Sequence, residues 1–274
     1  MDRKLLSSLY SNYRKSTSFL RPLPDFIIVG AQKAGTTSLY DYLDQHANIR
    51  MSKPLKEVQY FSYDYHKGIN WYRSNFPIKP LLRPEKTLIG EASPYYLFHP
   101  HSAKRIHESL PNAKIIAVLR DPTERAISHY FHELRHNTET KEIFEALKLE
   151  ESRIAPELKR MINDENYESK IHQNLSYKSR GLYLTQLKKY FDLFDSKNIL
   201  VINSNDLFSD PISTVRRVCQ FLEVDDMVRN IDVSPKNVGS NKSKVSEDVY
   251  SYLNSFFRDE NKKLFDFLGE DFGW

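Results

Sequence analysis

The sequence predicts an α/β fold in which a central parallel sheet is flanked by helices, within a single domain. Short apolar runs of strand length at 26–29, 87–90, 114–119 and 198–202 alternate with stretches of helical spacing. Continuous apolar runs of this kind are typical of parallel strands that are buried on both faces. The 274 residues, 40% of them hydrophobic and 28% charged, suit one large α/β domain with a substantial core.

Residues 1–23 are predicted to form a basic extension before this domain, which spans residues 24–274. The first 24 residues carry the whole formal net charge of +4, because five lysines and arginines stand against Asp2. Apolar and aromatic side chains between Leu5 and Tyr13 follow a helical spacing with basic flanks, so we expect a short amphipathic helix. This helix either docks on the protein's own surface or contacts a membrane or a partner.

Composition excludes several classes of protein. No basic stripe with interleaved aromatic residues occurs, which argues against nucleic acid as a partner. The single cysteine, Cys219, rules out an intramolecular disulfide and favours a reducing, cytoplasmic location. No apolar run approaches the roughly 20 residues of a transmembrane helix. The sequence leaves the oligomeric state open.

The most informative pattern follows the first strand. The apolar run at 26–29 enters Gly30, a short loop carries one lysine, Lys33, and a helix-like pattern begins after Gly35, with Thr36 or the next threonine as its cap. The glycine spacing is close to the nucleotide-binding pattern G-x4-G-K-[ST], but Thr36 stands where that pattern has its lysine. Backbone amides and the helix dipole favour an anion at such a turn. The sequence therefore predicts a P-loop-like anion site whose cation lies between the glycines.

A second basic site follows the strand at 114–119. Arg120 stands at the end of this strand, and Ser128 lies eight residues later on the helix that Pro122 begins. An arginine and a hydroxyl so placed can bind one phosphate together. Lys242 and Lys244, in the polar loop before the final helix, can fold over a polyanion. Two separate basic sites indicate a nucleotide with phosphates at two positions.

These segments together resemble the sulfotransferases that use 3′-phosphoadenosine-5′-phosphosulfate (PAPS), and are most similar to the heparan sulfate glucosaminyl N- and 3-O-sulfotransferase branch. The segment 32–37 looks like the 5′-phosphosulfate loop of that family, and 118–128 looks like its 3′-phosphate element. The resemblance continues through 57–61, 65–72, 181–183 and 198–201, and so covers 24–268.

The resemblance implies in-line sulfuryl transfer from PAPS to an acceptor hydroxyl or amine, with no metal ion. It implies that Lys33 stabilises the leaving phosphate oxygen and that Glu57 is the general base. Lys244 matches a family lysine that contacts PAPS from the C-terminal loop. The residues expected to bind PAPS are Gln32, Lys33, Ala34, Gly35, Thr36, Thr37, Arg120, Ser128, Tyr183, Lys242 and Lys244.

The acceptor class stays open. A saccharide is the first expectation, and a lipid-linked or small secondary-metabolite alcohol is the second. The heparan enzymes carry a lysine after the glutamate that matches Glu91, whereas this chain has Ala92, so a heparan-like acceptor does not follow. A P-loop kinase using ATP and magnesium is the rival enzyme class, against which the displaced Lys33 argues. A nucleotide-binding module without catalysis is the third interpretation.

Simpler interpretations accompany the predicted site. Arg120 could serve merely as one partner of a surface ion pair with Asp121 or Glu124. The aromatic stretch at 60–76 could be core rather than a wall of an acceptor cleft. Three histidines recur on one helix at a spacing that could bind zinc, although helix-surface histidines explain them more simply. They are His129, His132 and His136.

Overall fold

A computed structural model describes residues 3–78, 87–225, 231–234 and 245–274, with the side chains of 3–8 left aside. Its five strands form one parallel sheet. The strands are β1 (Phe26–Gly30), β2 (Ile49–Met51), β3 (Leu88–Ala92), β4 (Lys114–Leu119) and β5 (Ile199–Asn203). The helices are α1 (Arg3–Ser16), α2 (Thr36–Asp44), α3 (Ile69–Arg73), α4 (Ser102–Ser109), α5 (Pro122–Arg135), α6 (Ile143–Asn163), α7 (Lys170–Asn174), α8 (Tyr183–Phe191), α9 (Ser204–Ser209), α10 (Pro211–Leu222) and α11 (Glu247–Leu268).

The order of the strands determines where a ligand can bind. The sheet runs β2-β3-β1-β4-β5, so β1 lies at the centre between β3 and β4. From β1 the chain first crosses to one side of the sheet and later to the other, which makes the carboxyl end of β1 a topological switch point. Crevices at such points are where open α/β sheets bind ligands. The fully buried β1 is thus placed to present the loop that follows it.

The predicted elements with a strong sequence signal are confirmed. The strand at 114–119 and the helix that begins at Pro122 appear as predicted. The strand β2 and the helix α9 were not expected, because elements of three and six residues are too short for a periodic pattern to identify. The charged stretch at 138–170 is dominated by the single 21-residue helix α6.

The predicted cap of α2 is wrong. Gly35 is the N-cap residue, with φ of 99° in the left-handed region, and Thr36 is already the first helical residue. No side chain caps the helix. The reason is geometric, because the loop must turn sharply at this position and glycine adopts a positive φ at little cost. A ligand can therefore approach the start of α2 without displacing a capping side chain.

The N-terminal segment packs against the domain through two of its arginines. The Nε atom of Arg14 donates to the carbonyl of Ser74 over 2.6 Å, and an Nη2 bond of 2.8 Å reaches the carbonyl of Phe76. Arg21 donates to the same Phe76 carbonyl over 2.7 Å. Both arginines are buried. The described part of the segment thus satisfies backbone acceptors that follow α3.

The aromatic stretch at 60–76 is mainly core. Tyr60, Phe61, Tyr72 and Phe76 are buried, and the rings of Tyr60 and Tyr72 stack with centroids 4.5 Å apart. Burial of large aromatic rings contributes strongly to stability. Within the described residues, no helix has both the length and the apolar character needed to cross a membrane.

Candidate active site

The loop between β1 and α2 has a backbone conformation that suits an anion. Lys33 and Gly35 both have a positive φ, of 70° and 99°. The amide of Ala31 donates to the carbonyl of Val118 in β4 over 2.6 Å, which ties the loop to the neighbouring strand. A Cβ atom added to Gly35 would lie 2.9 Å from the ring of Phe208. The uncapped helix start and the fixed loop together form a cradle of amide donors.

Lys33 supplies the cation of this cradle. Its side chain is half-buried and, within the described part of the chain, makes no hydrogen bond or ion pair. Burial lowers the pKa of Lys33, and the positive charges of Arg135 and Arg120 lower it further, while Glu133 opposes them. An ammonium group among like charges is stabilised by any anion that joins it. The geometry therefore provides a strong electrostatic reason for an anion at Lys33.

Arg120 joins this loop to the start of α5. Its Nη1 atom donates to the carbonyl of Lys33 over 3.1 Å, and its Nη2 atom pairs with Glu124 at 3.1 Å. The ion pair expected in the simpler interpretation is thus present. A guanidinium has five N–H donors, however, so three remain for a ligand. Ser128 lies two turns along α5, half-buried, and its hydroxyl has no hydrogen-bond partner among the described residues.

Tyr183 contacts the backbone of Arg120. It is fully buried, and its hydroxyl donates to the carbonyl of Arg120 over 2.8 Å. The preceding Gly181 is packed so tightly that an added Cβ atom would lie 2.7 Å from the ring of Phe257 and 2.8 Å from Pro122. The start of α8 therefore holds the backbone of Arg120 in place through the hydroxyl of Tyr183.

Glu57 is held by the side chain of Gln59. The amide Nε2 of Gln59 donates to Glu57 over 2.9 Å, and the Oε1 of Gln59 accepts from the hydroxyl of Ser62 over 2.8 Å. The backbone amide of Gln59 donates to the hydroxyl of Ser93 over 3.1 Å. Gln59 also has a positive φ of 59°, which is costly for a residue with a side chain. Contacts on three sides thus fix the group that orients Glu57.

Burial raises the pKa of Glu57, although its side chain reaches solvent. The hydrogen bond from Gln59 and the positive charges of Lys56 and Arg180 act in the opposite direction. A carboxylate with a raised pKa is a stronger base in its ionised form, which suits proton abstraction from an acceptor.

A second carboxylate, Glu91, was not identified as a site residue from the sequence. It is fully buried in β3 and accepts hydrogen bonds from Ser93 over 2.7 Å, from Tyr96 over 2.8 Å and from Tyr72. Burial raises the pKa of Glu91 to about 7, and the nearby charge of Glu57 adds to the rise. The signal in the sequence was its place at a strand end, where side chains meet a ligand crevice.

Arg180 was also missed. It is buried in the turn before α8, and it donates to the Oε1 atom of Gln32 in the anion loop. Its guanidinium lies 4.8 Å from the ring centroid of Tyr95 and 5.3 Å from that of Phe98. Because its charge also lowers the pKa of Glu57, Arg180 connects the loop electrostatically to the predicted base. Its position directly before Gly181 was the available signal.

The histidines of α5 do not form a closed set. His129 is buried with its Nε2 atom 3.4 Å from Glu133, whereas the rings of His132 and His136 are 4.4 Å apart nearer the surface. Among the described residues, no three His, Cys, Asp or Glu side chains are grouped to hold a metal ion.

The structure brings the loop 32–37 and Arg120 together at the end of β4, and Arg180 links Gln32 to the neighbourhood of Glu57. Lys242 and Lys244 lie outside the described residues.

Comparison with known proteins gives consistent matches. The profile of a family described as "Sulfotransferase domain" matches residues 23–263. Among solved structures, a sulfotransferase from Alicyclobacillus acidocaldarius is 31% identical, with a TM-score of 0.71 over 91% of this chain and 97% of that one.

Three curated relatives show lower identity. The membrane-associated sulfotransferase kil1 of Dictyostelium discoideum is 27% identical over 92% of this chain and 66% of its own length. The bifunctional heparan sulfate N-deacetylase/N-sulfotransferase 1 of Caenorhabditis briggsae is 28% identical over 90% of this chain and 30% of its own length. The mouse heparan sulfate glucosamine 3-O-sulfotransferase 3B1 is 27% identical over 93% of this chain and 65% of its own length. The chain thus spans at most about two thirds of the length of these relatives.

Proposed function

The chain belongs to the sulfotransferase family, and from this premise we propose that it transfers the sulfuryl group of PAPS to a hydroxyl or amine of an acceptor. The observation that carries the proposal is the anion loop itself. Lys33 is half-buried among positive charges, the start of α2 is uncapped, and Arg120 is bonded to the loop. The hydroxyl of Ser128, on the helix that follows Arg120, has no hydrogen-bond partner among the described residues. These groups fit a ligand with two separate phosphate positions.

The reaction assigns a task to each group. The acceptor oxygen or nitrogen attacks the sulfur atom, a new bond to sulfur forms, and the bond from sulfur to the 5′-phosphate oxygen breaks in line. Lys33 and the amides at the start of α2 stabilise the negative charge that develops on that leaving oxygen. Glu57 takes the proton of the acceptor, and Gln59 keeps the carboxylate oriented.

The nucleotide's other phosphate is assigned to Arg120 and Ser128, and the hydroxyl of Tyr183 supports the backbone of Arg120. The loop lysines Lys242 and Lys244 are proposed to approach PAPS from the C-terminal side.

A saccharide is the first acceptor class that we propose, because relatives named for heparan sulfate match most of this chain. A lipid-linked or small secondary-metabolite alcohol is the alternative, favoured by Ala92, which is buried where the resemblance places a lysine of the heparan enzymes. A screen of acceptors with radiolabelled PAPS distinguishes the two classes.

Thermal-shift titration tests the donor site without an acceptor. We expect 3′-phosphoadenosine 5′-phosphate (PAP) to raise the melting temperature. At a concentration of one hundred times Kd, its binding should add about 2.7 kcal/mol to the free energy of unfolding. ATP with magnesium should give a smaller shift. Stabilisation by ATP with magnesium alone would instead identify the kinase alternative.

A further inference from the structure

Arg180 is one of several buried arginines of this chain. Its side chain is 3% exposed, yet within the described part of the chain no carboxylate lies within ion-pair distance of it. Burial lowers the pKa of Arg180 to about 10. The guanidinium instead donates hydrogen bonds to neutral acceptors. These are the hydroxyl of Ser176 at 2.9 Å, the carbonyl of Gln173 and the side chain of Gln32. The bond to Gln32 distinguishes Arg180 from the other buried arginines, because it reaches a side chain of the anion loop.

The contact with Gln32 determines which way its amide group faces. A glutamine side chain has an acceptor oxygen and a donor nitrogen, and the two are exchanged when the amide flips. Arg180 can only donate, so it holds the Oε1 atom of Gln32 towards itself. The Nε2 group must then face the other way, and among the described residues it donates to no protein acceptor.

We propose that Arg180 is a positioning residue that fixes Gln32 as a hydrogen-bond donor to the anionic group bound in the loop. This inference rests on the proposed function, since it names a further residue of the same donor site. In the flipped orientation, Gln32 would present a carbonyl oxygen to an anion, which would repel it. By occupying that oxygen, Arg180 excludes the repelling orientation before the nucleotide arrives.

A purely structural role for Arg180 makes a different prediction. Its bonds to Gln173 and Ser176 also hold the end of α7 against the turn before α8. If Arg180 served only to make these bonds, replacing it would destabilise the fold. The resulting change in PAP affinity would then be the same in the original protein and in Gln32→Ala.

The test is a double-mutant cycle on PAP affinity, measured by isothermal titration calorimetry on the full chain. Loss of a hydrogen bond to a charged group weakens binding about tenfold, so Gln32→Ala and Arg180→Met should each raise Kd by about that factor. If Arg180 acts through Gln32, the double variant should also lose only about tenfold. Independent effects would multiply to about one hundredfold, and that result would overturn the inference.

Ser176→Ala is the matched control. It removes a hydrogen bond from the same guanidinium on the side away from the loop, so its PAP affinity should stay within about twofold of the original. A loss as large as that of Arg180→Met would mean that the turn, and not the orientation of Gln32, governs binding.

A second measurement remains if Arg180→Met does not fold. In ¹⁵N-labelled protein, the side-chain Nε2 resonance of Gln32, assigned with Gln32→Ala, should move and become protected from exchange on addition of PAP. Arg180→Lys, which keeps the charge but not the fork, should reduce this protection. An unchanged resonance at saturating PAP overturns the inference while leaving the donor site intact. If the original protein binds no PAP, the proposed function and this inference both fail.

Discussion

The guanidinium of Arg120 donates a hydrogen bond of 3.1 Å to the backbone carbonyl of Lys33. This bond connects the end of β4 to the anion loop that follows β1. Arg120 therefore shapes the loop at the same time as it offers its remaining donors to a ligand, and the two effects should be lost together.

Replacing Arg120 by alanine should weaken PAP binding by about 10- to 100-fold, because a charge-assisted donor and the support of the loop both disappear. Calorimetric titration with PAP measures this loss. Arg160→Ala is the control, since Arg160 is a surface arginine on α6 that is 65% exposed. Equal affinities for both variants would mean that Arg120 serves only its ion pair with Glu124.

Replacing Lys33 by alanine should reduce the rate of sulfuryl transfer by at least about 100-fold, because the charge that faces the leaving oxygen is removed. The melting temperature should hardly change, since Lys33 makes no hydrogen bond or ion pair within the described residues. The measurement is turnover of radiolabelled PAPS with an acceptor found by screening. Lys104→Ala, at an exposed position on α4, provides the comparison. Turnover near that of the original protein would remove Lys33 from the mechanism.

Replacing Gln59 by alanine should shift the acid side of the pH–rate profile to higher pH. The hydrogen bond from Gln59 stabilises the ionised form of Glu57 and lowers its pKa, so its loss raises the pKa. Because the base must be deprotonated, activity then appears only at higher pH. Glu57→Gln should abolish that limb and lower turnover by about 10²- to 10⁴-fold while PAP still binds. An unshifted limb in Gln59→Ala would contradict this role.

Replacing Glu91 by glutamine should change how stability depends on pH. The folded-state pKa of about 7 lies above the ordinary value of 4.5, so the folded state binds the proton more tightly than the unfolded chain. This contribution to stability is present below pH 4.5 and is lost as the pH rises through 7, by up to about 3 kcal/mol. The variant lacks this titration.

Urea unfolding at pH 5 and pH 7 tests the prediction. The stability of Glu91→Gln relative to the original protein should increase between these two pH values. Glu108→Gln, at an exposed position of α4, should show no such trend. Parallel pH profiles for the original protein and Glu91→Gln would show that Glu91 is ionised at both pH values.

The sequence predicted the class of the fold and the family, and both are confirmed. The reason is that long apolar runs and a glycine-flanked turn are local signals. The strand 114–119 and the helix from Pro122 were predicted because each has such a signal within about ten residues. The loop around Lys33 was identified for the same reason, since a phosphate cradle is made by consecutive amides.

Contacts between distant segments were not predictable. Arg180 meets Gln32 across 148 residues of chain, and Tyr72 meets Glu91 only because α3 packs beside the end of β3. No local pattern records which side of the amide of Gln32 is occupied. Tyr183 was expected to bind PAPS, and that role stays a prediction. Its hydroxyl donates to the carbonyl of Arg120, a contact across 63 residues of chain that no local pattern indicates. The roles of all these residues in catalysis stay predictions.

The buried arginines near the N-terminus bear on where this protein can be shortened. The family match begins at residue 23, and a truncated protein designed on that boundary would lose both Arg14 and Arg21. The carbonyls of Ser74 and Phe76 would then lose these donors, at the end of the helix that carries Tyr72. Because Tyr72 donates a hydrogen bond to Glu91, removing residues that precede the family match should also disturb Glu91, the carboxylate near the predicted base. A minimal catalytic fragment should therefore keep the residues from α1 onwards.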